Sequence, residues 1–335
     1  MKSHEYNLSV RELARAVLPT LVVLAVLAVV LRGGRSHGLM PPRPVSWDPN
    51  SAMLAHQSRA ARSHHPARIV LVGDSTCMVD VDARALSYRL PGQPRVLNLG
   101  LLIWFDFSTY AEVLSDFASA NPGQVRAVVL LVTPEKLGLP RSETSQEPWR
   151  EIRSNEHEPD RGRALGLPRD WLGVKPLREN LLPYVLATPL RGKGEATARF
   201  AFSCEVDAYQ TAHDGSAVDL GHFVRPQHPT KPVWCLAEGI EAESRAFRAK
   251  VPPGAKLFVG LTPLALSYSS PEDRARRLEM LTQWNRWIQA DTLLTNLPAA
   301  WPDTLFASKG HLNELGQQRF TAVLARELAL RLEEL

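Results

Sequence analysis

Residues 68–75 read RIVLVGDS, a run of aliphatic residues that ends in glycine, aspartate and serine. An uninterrupted apolar run this short predicts a strand buried on both faces, as in a parallel sheet that helices cover. Gly73 lets the chain turn sharply where the strand ends. Ser75 is therefore predicted at the carboxyl edge of the sheet, which is where open α/β sheets bind ligands.

The same pattern returns along the chain, separated by segments in which apolar residues have helical spacing. Further strands are predicted over residues 95–99, 127–132, 256–261 and 292–294. Helices are predicted over residues 81–90, 107–120, 271–289 and 313–332. Strands that alternate with helices predict an α/β domain with a mostly parallel sheet and helices on both faces.

This alternation lapses over residues 134–253, a stretch rich in Pro, Arg and Glu. A connection of that length without structure of its own is uncommon in a compact domain. We therefore predict a large insertion at about 134–253 that covers the carboxyl edge of the sheet.

Composition limits the classes of protein to which the chain can belong. Its 335 residues are 44% hydrophobic and 22% charged, an ordinary globular balance that excludes disordered, collagen-like and coiled-coil proteins. The net charge of +4, without a basic stripe, argues against a nucleic-acid partner. Three cysteines are too few for a disulfide scaffold, and whether Cys204 and Cys235 pair stays open. No His or Cys spacing fits a metal site, and no cofactor is predicted.

One apolar run bears on membrane attachment. Residues 16–31 carry no charge and lie between Arg15 and Arg32. A span needs about 20 residues, and arginine side chains that snorkel to the interface extend the run. Because no small-residue cleavage pattern follows, an uncleaved signal anchor is predicted over residues 1–32, against a cleaved signal peptide or a buried core helix.

The anchor sets the expected domain order. Residues 33–66 are predicted as a stalk with one short helix at 49–62, and residues 67–335 as the folded domain. The basic residues on either side of the anchor nearly balance, so charge alone does not orient it. We place the N-terminus inside, because the chemistry described next suits a periplasmic or extracellular domain.

Two residues at opposite ends of the domain form a candidate catalytic pair. Ser75 follows a buried strand, where a hydroxyl nucleophile lies beside the backbone N–H groups that begin a helix. His311 lies in the stretch 308–316 (SKGHLNELG), on a turn before the last helix, where a neutral imidazole can accept a hydroxyl proton. The alternatives are an ordinary Gly-Asp-Ser turn and a surface or capping histidine.

Three motifs carry a family resemblance. They are Gly73-Asp74-Ser75 after the first strand, Asn98-Leu99-Gly100 after the second, and His311-Leu312-Asn313 with Gly316 before the last helix. In this order they resemble the SGNH/GDSL hydrolase superfamily over about residues 67–335, the insertion excepted. The resemblance implies a flavodoxin-like three-layer fold and acyl-ester chemistry. It implies Ser75 as nucleophile, His311 as base, and the N–H groups of Ser75 and Gly100 as oxyanion donors, with Asp74 and Asn313 in support.

The anchor and this domain together are similar to the membrane-bound acyl-transfer proteins of D-alanylation and alginate O-acetylation. Those proteins work outside the membrane beside a multi-span acyltransferase. The resemblance thus implies an O-acylated, most simply O-acetylated, envelope or secreted glycan as substrate, with a multi-span membrane acyltransferase as a candidate partner.

The first departure from the family pattern concerns the acid of the triad. The family has Asp three residues before its His, and this chain has Ser308 there. Asp303 lies further upstream and would serve if the loop folds back, so the acid position is assigned to Asp303 or Ser308. A backbone carbonyl, or another acid such as Asp80 or Asp106, could orient the ring of His311 instead.

The second departure concerns the oxyanion donors. The family has a Gly-x-Asn donor after the third strand, whereas this chain has Thr133-Pro134-Glu135, which leaves the Thr133 hydroxyl as the candidate. The same departure is frequent in the anchored branch. The two departures keep open a decayed module that binds a glycan or an acyltransferase partner. A membrane-proximal lipase is a third hypothesis. A carboxylate within hydrogen-bond reach of His311 would favour the enzyme.

Overall fold

The computed structural model describes residues 49–139, 208–219, 221–225 and 234–332, and single positions at 15, 18, 19, 22, 23, 26, 30, 149 and 227. Among the described residues, no helix is long and apolar enough to cross a membrane. Most of the predicted anchor lies outside these residues, as do residues 33–48 of the predicted stalk and Cys204. Cys235 is described and is an exposed free cysteine.

The chain divides into two compact units, Met1–Asp48 with Glu156–Cys204, and Pro49–Asn155 with Glu205–Leu335. Nearly all described residues belong to the second unit, and the fold below is that of this unit alone. The helix predicted at 49–62 is present as α1 (Pro49–Arg62) and belongs to the same unit as the sheet.

The second unit is built on one parallel sheet. The strands are β1 (Ile69–Gly73), β2 (Val96–Asn98), β3 (Ala127–Val132), β4 (Lys256–Leu261), β5 (Leu264–Ala265), β6 (Thr292–Leu293) and β7 (Ala300–Trp301). Five of them form a sheet in the order β2-β1-β3-β4-β6, in which every neighbouring pair is parallel, while β5 pairs with β7. The predicted α/β class and mostly parallel sheet are confirmed. The order is consistent with a flavodoxin-like fold.

The remaining helices connect these strands. They are α2 (Ser75–Asp80), α3 (Ala83–Arg89), α4 (Phe107–Ala120), α5 (Pro134–Gly138), α6 (Ile240–Arg248), α7 (Asp273–Ile288) and α8 (Glu314–Leu332). The helix predicted over 81–90 is present as α3, and α2 precedes it as a separate helix. The break lies at Asp82, whose side chain accepts the Ala85 N–H at 2.9 Å and caps α3.

Helices cover both faces of the sheet. On one face α8 packs against α2 and α3, and its Phe320, Leu324 and Leu328 join a core cluster with Ile69 and Leu71 of β1. On the other face α4 packs against α1 and α6, and α6 packs against α7. All five residues of β1 and all six of β3 are buried, which explains their uninterrupted apolar sequence.

The strand order reverses at β1, because β2 lies on one side of it and β3 on the other. Doubly wound sheets open a crevice at the carboxyl ends of the strands where the order reverses. Ser75 follows β1 and Thr133 follows β3, so both candidate residues lie at this reversal point.

Candidate active site

The end of β1 places Ser75. Gly73 has φ of +153°, and a Cβ added there would lie 1.7 Å from the carbonyl oxygen of Leu131 in β3, so only glycine fits. Asp74 then caps α2, since its Oδ1 accepts the Thr76 N–H at 2.9 Å. Ser75 is the first residue of that helix and is 7% exposed. The tight turn predicted from the sequence therefore directs the serine to the reversal point.

Asp74 also ties neighbouring strands together. Its Oδ2 accepts the backbone N–H of Thr133, after β3, at 2.8 Å. Thr76 donates its hydroxyl to Asp74 and lies 3.0 Å from the hydroxyl of Thr262, after β4. Asp74, which the resemblance implies as a supporting residue, is thus buried next to Ser75 and accepts several hydrogen bonds there.

His311 lies on a short loop before α8. Its carbonyl oxygen accepts the Ala307 N–H at 2.9 Å, and the next residue, Leu312, is fully buried in the core. Asn313 accepts the Gly316 N–H at 3.0 Å, so the other predicted supporting residue stabilises the start of α8. The loop is fixed on both sides of His311, which limits the orientations of the imidazole.

The fold brings Ser75 and His311 together although 236 positions separate them. His311 Nε2 lies 2.9 Å from Ser75 Oγ, and Nδ1 lies 3.0 Å from Asp219 Oδ2. A carboxylate at Nδ1 accepts the proton of that nitrogen, which leaves Nε2 free to accept the serine proton. The three side chains form a continuous serine–histidine–aspartate chain of hydrogen bonds.

The contact with His311 Nδ1 is made by Asp219, and not by either predicted position of the acid, Asp303 or Ser308. Asp303 accepts the backbone N–H of Ser267 at 2.9 Å, away from the imidazole. The Ser308 hydroxyl accepts the backbone N–H of His311 at 3.3 Å and hydrogen-bonds to Asp219, so it supports the acid. Asp219 lies 92 positions before His311, inside the predicted insertion, where no strand or helix pattern locates it.

Hydrogen bonds of residues that precede Asp219 fix the segment 208–219 to the domain. Ala217 donates its N–H to the Met78 carbonyl at 2.9 Å and accepts from the Gln317 side chain at 2.8 Å. His213 Nδ1 lies 2.7 Å from Asp82 Oδ2. Residues 208–219, which belong to the predicted insertion, therefore pack against the domain and carry the acid to the site.

Burial, hydrogen bonds and neighbouring charges together shift the pKa values of His311 and Asp219. Burial works to lower the pKa of His311, but the hydrogen bond to Asp219 and the charges of Asp80, Asp219 and Asp74 raise it above the ordinary 6.5. Burial works to raise the pKa of Asp219, but hydrogen bonds from His311, the Gly221 N–H and Ser308 bring it below 3.8. Asp219 is therefore the ionised partner of a strengthened base.

The predicted oxyanion donors differ in availability. Among the described residues, the Ser75 N–H at the start of α2 has no hydrogen-bond acceptor, so it is free to donate to an oxyanion. The Gly100 N–H instead donates to Asn98 Oδ1 at 2.9 Å, so its predicted role is not supported by this geometry. The Thr133 N–H is taken by Asp74, and its hydroxyl accepts the Lys136 N–H at 3.0 Å, which leaves the hydroxyl proton to donate.

Gly100 has a packing role in place of the predicted one. A Cβ at this position would lie 2.6 Å from the backbone nitrogen of Met78 in α2. The second motif therefore lets the chain after β2 pass close to the helix that carries Ser75. Asn98 completes the contact, since its Nδ2 donates to the Cys77 carbonyl at 2.8 Å.

In the described part of the chain, no group of three or more His, Cys, Asp or Glu side chains could hold a metal ion. The chain matches no protein-family model, no curated protein and no solved structure. Any functional conclusion therefore depends on the geometry of Ser75, His311 and Asp219.

Proposed function

We propose that the protein is a serine acyl esterase or O-acyltransferase with Ser75 as nucleophile, His311 as general base and Asp219 as the orienting acid. The observation that carries the proposal is the continuous hydrogen-bond chain from Ser75 Oγ through the imidazole to the Asp219 carboxylate. Its position at the reversal point of a parallel sheet supports a ligand-binding role.

The reaction would follow from these contacts. Ser75 Oγ attacks the acyl carbon while His311 Nε2 accepts the hydroxyl proton, and Asp219 stabilises the imidazolium. The Ser75 N–H and the Thr133 hydroxyl would donate to the oxyanion. The bond to the leaving alkoxide then breaks, and His311 returns the proton to that alkoxide, which leaves an acyl ester on Ser75. Water or an acceptor hydroxyl, deprotonated by His311, then attacks the acyl carbon, the bond to Ser75 Oγ breaks, and His311 returns the proton to Ser75.

The proposed substrate is an O-acyl group, most simply O-acetyl, on an envelope or secreted glycan. The support is the resemblance of the three motifs and the apolar run at 16–31, which together are typical of membrane-anchored acyl-transfer proteins. In that setting the domain would be extracytoplasmic, with a multi-span acyltransferase as donor partner. Transfer rather than hydrolysis requires that the acceptor hydroxyl exclude water from the acyl-enzyme.

The competing hypothesis is a decayed module that binds a glycan or a membrane acyltransferase. Its main support was the missing acid at Ser308, and Asp219 removes that support. The lipase hypothesis needs an apolar acyl groove, which no described feature beside Ser75 supplies. The enzyme is therefore the function that we put to the test.

The test is hydrolysis of p-nitrophenyl acetate by the full-length chain. We expect Ser75→Ala and His311→Ala each to lower kcat/KM by at least about 100-fold. Ser119→Ala, an exposed serine on α4, is the matched control and should keep wild-type activity. A fluorophosphonate probe should label wild type and the control, releasing fluoride, but not Ser75→Ala. Equal rates in wild type and Ser75→Ala, with no labelling of Ser75, would contradict the proposal and favour the binding module.

A further inference from the structure

A buried carboxyl group that the mechanism above does not use lies against the loop that carries His311. Asp80 is the last residue of α2 and is fully buried. Its Oδ1 accepts the backbone N–H of Leu312 at 2.8 Å, whereas its Oδ2 has no hydrogen-bond partner among the described residues. Buried polar atoms are nearly always hydrogen-bonded, so an unpartnered carboxyl oxygen calls for an explanation.

The position of Asp80 links the two halves of the candidate site. Helix α2 begins with Ser75 and ends with Asp80, so nucleophile and buried acid are on one rigid element of six residues. Leu312 directly follows His311, so the hydrogen bond from its N–H fixes the backbone of the loop that carries the imidazole. Asp80 thereby holds the histidine loop against the serine helix.

The charges around Asp80 are mostly acidic. Burial raises the pKa of Asp80 to about 8, against the charge of His311 and the Leu312 N–H, while Asp74 and Asp219 raise it further. Cys77 of the same helix stays a thiol, because burial and the charges of Asp74 and Asp80 raise its pKa. Among the described residues, His311 is the positively charged neighbour that favours ionisation of Asp80. The two groups therefore titrate as a coupled pair.

We propose that Asp80 is a positioning residue for His311: one carboxyl oxygen holds the backbone of the histidine loop, and ionisation of the carboxyl is coupled to protonation of the imidazole. Asp219 then orients the ring through Nδ1, and Asp80, when ionised, stabilises the imidazolium. The catalytic consequence rests on the proposed function, but the coupling between Asp80 and His311 does not require that the protein be an enzyme.

The variant Asp80→Asn separates the two effects. Asparagine has the same shape and keeps an oxygen for the Leu312 N–H, but it carries no charge. We expect the His311 imidazole pKa, followed by NMR of the full-length chain, to fall by about one unit. The acid limb of the pH profile for p-nitrophenyl acetate hydrolysis should move down equally. The control is Asp273→Asn. Asp273 is another buried acid, at the start of α7, and accepts hydrogen bonds from Ser270. Its replacement should leave both the His311 pKa and the acid limb unchanged.

The variant Asp80→Leu tests the hold on the loop. It removes the acceptor of the Leu312 N–H, and a displaced catalytic group costs up to about 100-fold in rate. We expect kcat to fall more in Asp80→Leu than in Asp80→Asn, with KM little changed. Recovery of most of kcat by asparagine would show that the hydrogen bond, and not volume alone, positions the loop.

The outcomes separate this proposal from the proposed function. An unchanged His311 titration in Asp80→Asn would overturn the role of the charge, whatever the activity. A shifted titration in a chain without esterase activity would keep the coupling and refute the enzyme. If Asp80→Asn does not fold, the wild-type imidazole signals decide. They should show a second inflection as Asp80 ionises, and a single-step titration would contradict the proposal.

Discussion

Replacing Asp219 with asparagine is the sharpest test of which acid completes the site. In the wild type, Asp219 Oδ2 accepts from His311 Nδ1 at 3.0 Å, while Oδ1 accepts the Gly221 N–H at 2.8 Å. Asparagine keeps one oxygen, and the Gly221 N–H competes for it. Its amide then presents N–H donors to Nδ1, which favours the tautomer with the proton on Nε2. In that tautomer, Nε2 is unable to accept the proton of Ser75.

The expected loss can be bounded from the geometry. Changing a fully buried triad acid to its amide costs about 10⁴ in kcat. The side chains of His311 and Asp219 are 28% and 22% exposed, so solvent screens part of their interaction. We therefore expect a fall in kcat of about 10³, which corresponds to about 4 kcal/mol of transition-state stabilisation.

The pH dependence has a definite sign. His311 acts as a base only when neutral, and its raised pKa puts the acid limb of the wild-type profile above the ordinary 6.5. Asp219 raises that pKa through both its hydrogen bond and its charge, so Asp219→Asn should move the acid limb to lower pH. The limb should therefore shift down while the plateau rate falls.

The matched control is Asp303→Asn, the acid that sequence reasoning favoured. Asp303 bonds to the Ser267 N–H and has no contact with the imidazole, so kcat should stay within about threefold of wild type. The assay is p-nitrophenyl acetate hydrolysis over a pH series, with circular dichroism as the check on folding. A thousandfold loss in Asp303→Asn with near-wild-type activity in Asp219→Asn would refute the reasoning.

Two predictions concern how the backbone places the site. Gly73→Ala puts a Cβ 1.7 Å from the Leu131 carbonyl oxygen, so we expect the free energy of unfolding, measured with urea, to fall by more than about 4 kcal/mol; an unchanged midpoint would contradict the turn geometry. Gln317→Ala removes the donor to the Ala217 carbonyl, two residues before Asp219, so kcat should fall about tenfold in a chain that stays folded. Gln283→Ala on the exposed side of α7 should leave kcat unchanged, and an equal loss in both variants would exclude a specific role of Gln317.

Much of the fold could be predicted because its signals are local. Strands β1, β3 and β4 are buried on both faces, and burial of this kind leaves a continuous aliphatic run in the sequence. The turn at Gly73 and the start of α8 also depend on neighbouring residues alone. Ser75 and His311 could be named for the same reason, since each lies beside such a local signal.

The acid could not be located in this way. Asp219 lies among loop residues, and its sequence neighbourhood does not distinguish it from Asp207 or Asp214. Its place is set by distant partners, through the contacts of Ala217 with Met78 and Gln317. The motif position three residues before His311 was the only local guide, and it holds Ser308.

The packing role of Gly100 could not be predicted for a related reason. A glycine in a motif indicates a close backbone approach but does not say which group approaches. Here the neighbour is the backbone of Met78, and the Gly100 N–H donates to Asn98, the last residue of β2. This hydrogen bond joins residues close in sequence. Whether the Gly100 N–H makes it or stays free depends on how the loop after β2 packs against α2.

The last helix has a consequence for synthesis of the chain. The loop before α8 carries His311, and Gln317 within α8 anchors the segment that carries Asp219. A growing chain therefore holds Ser75 without His311 and Asp219 in place until α8 has formed and docks. On the proposed mechanism, a protein truncated before α8 would not hydrolyse esters, even if its sheet had already formed.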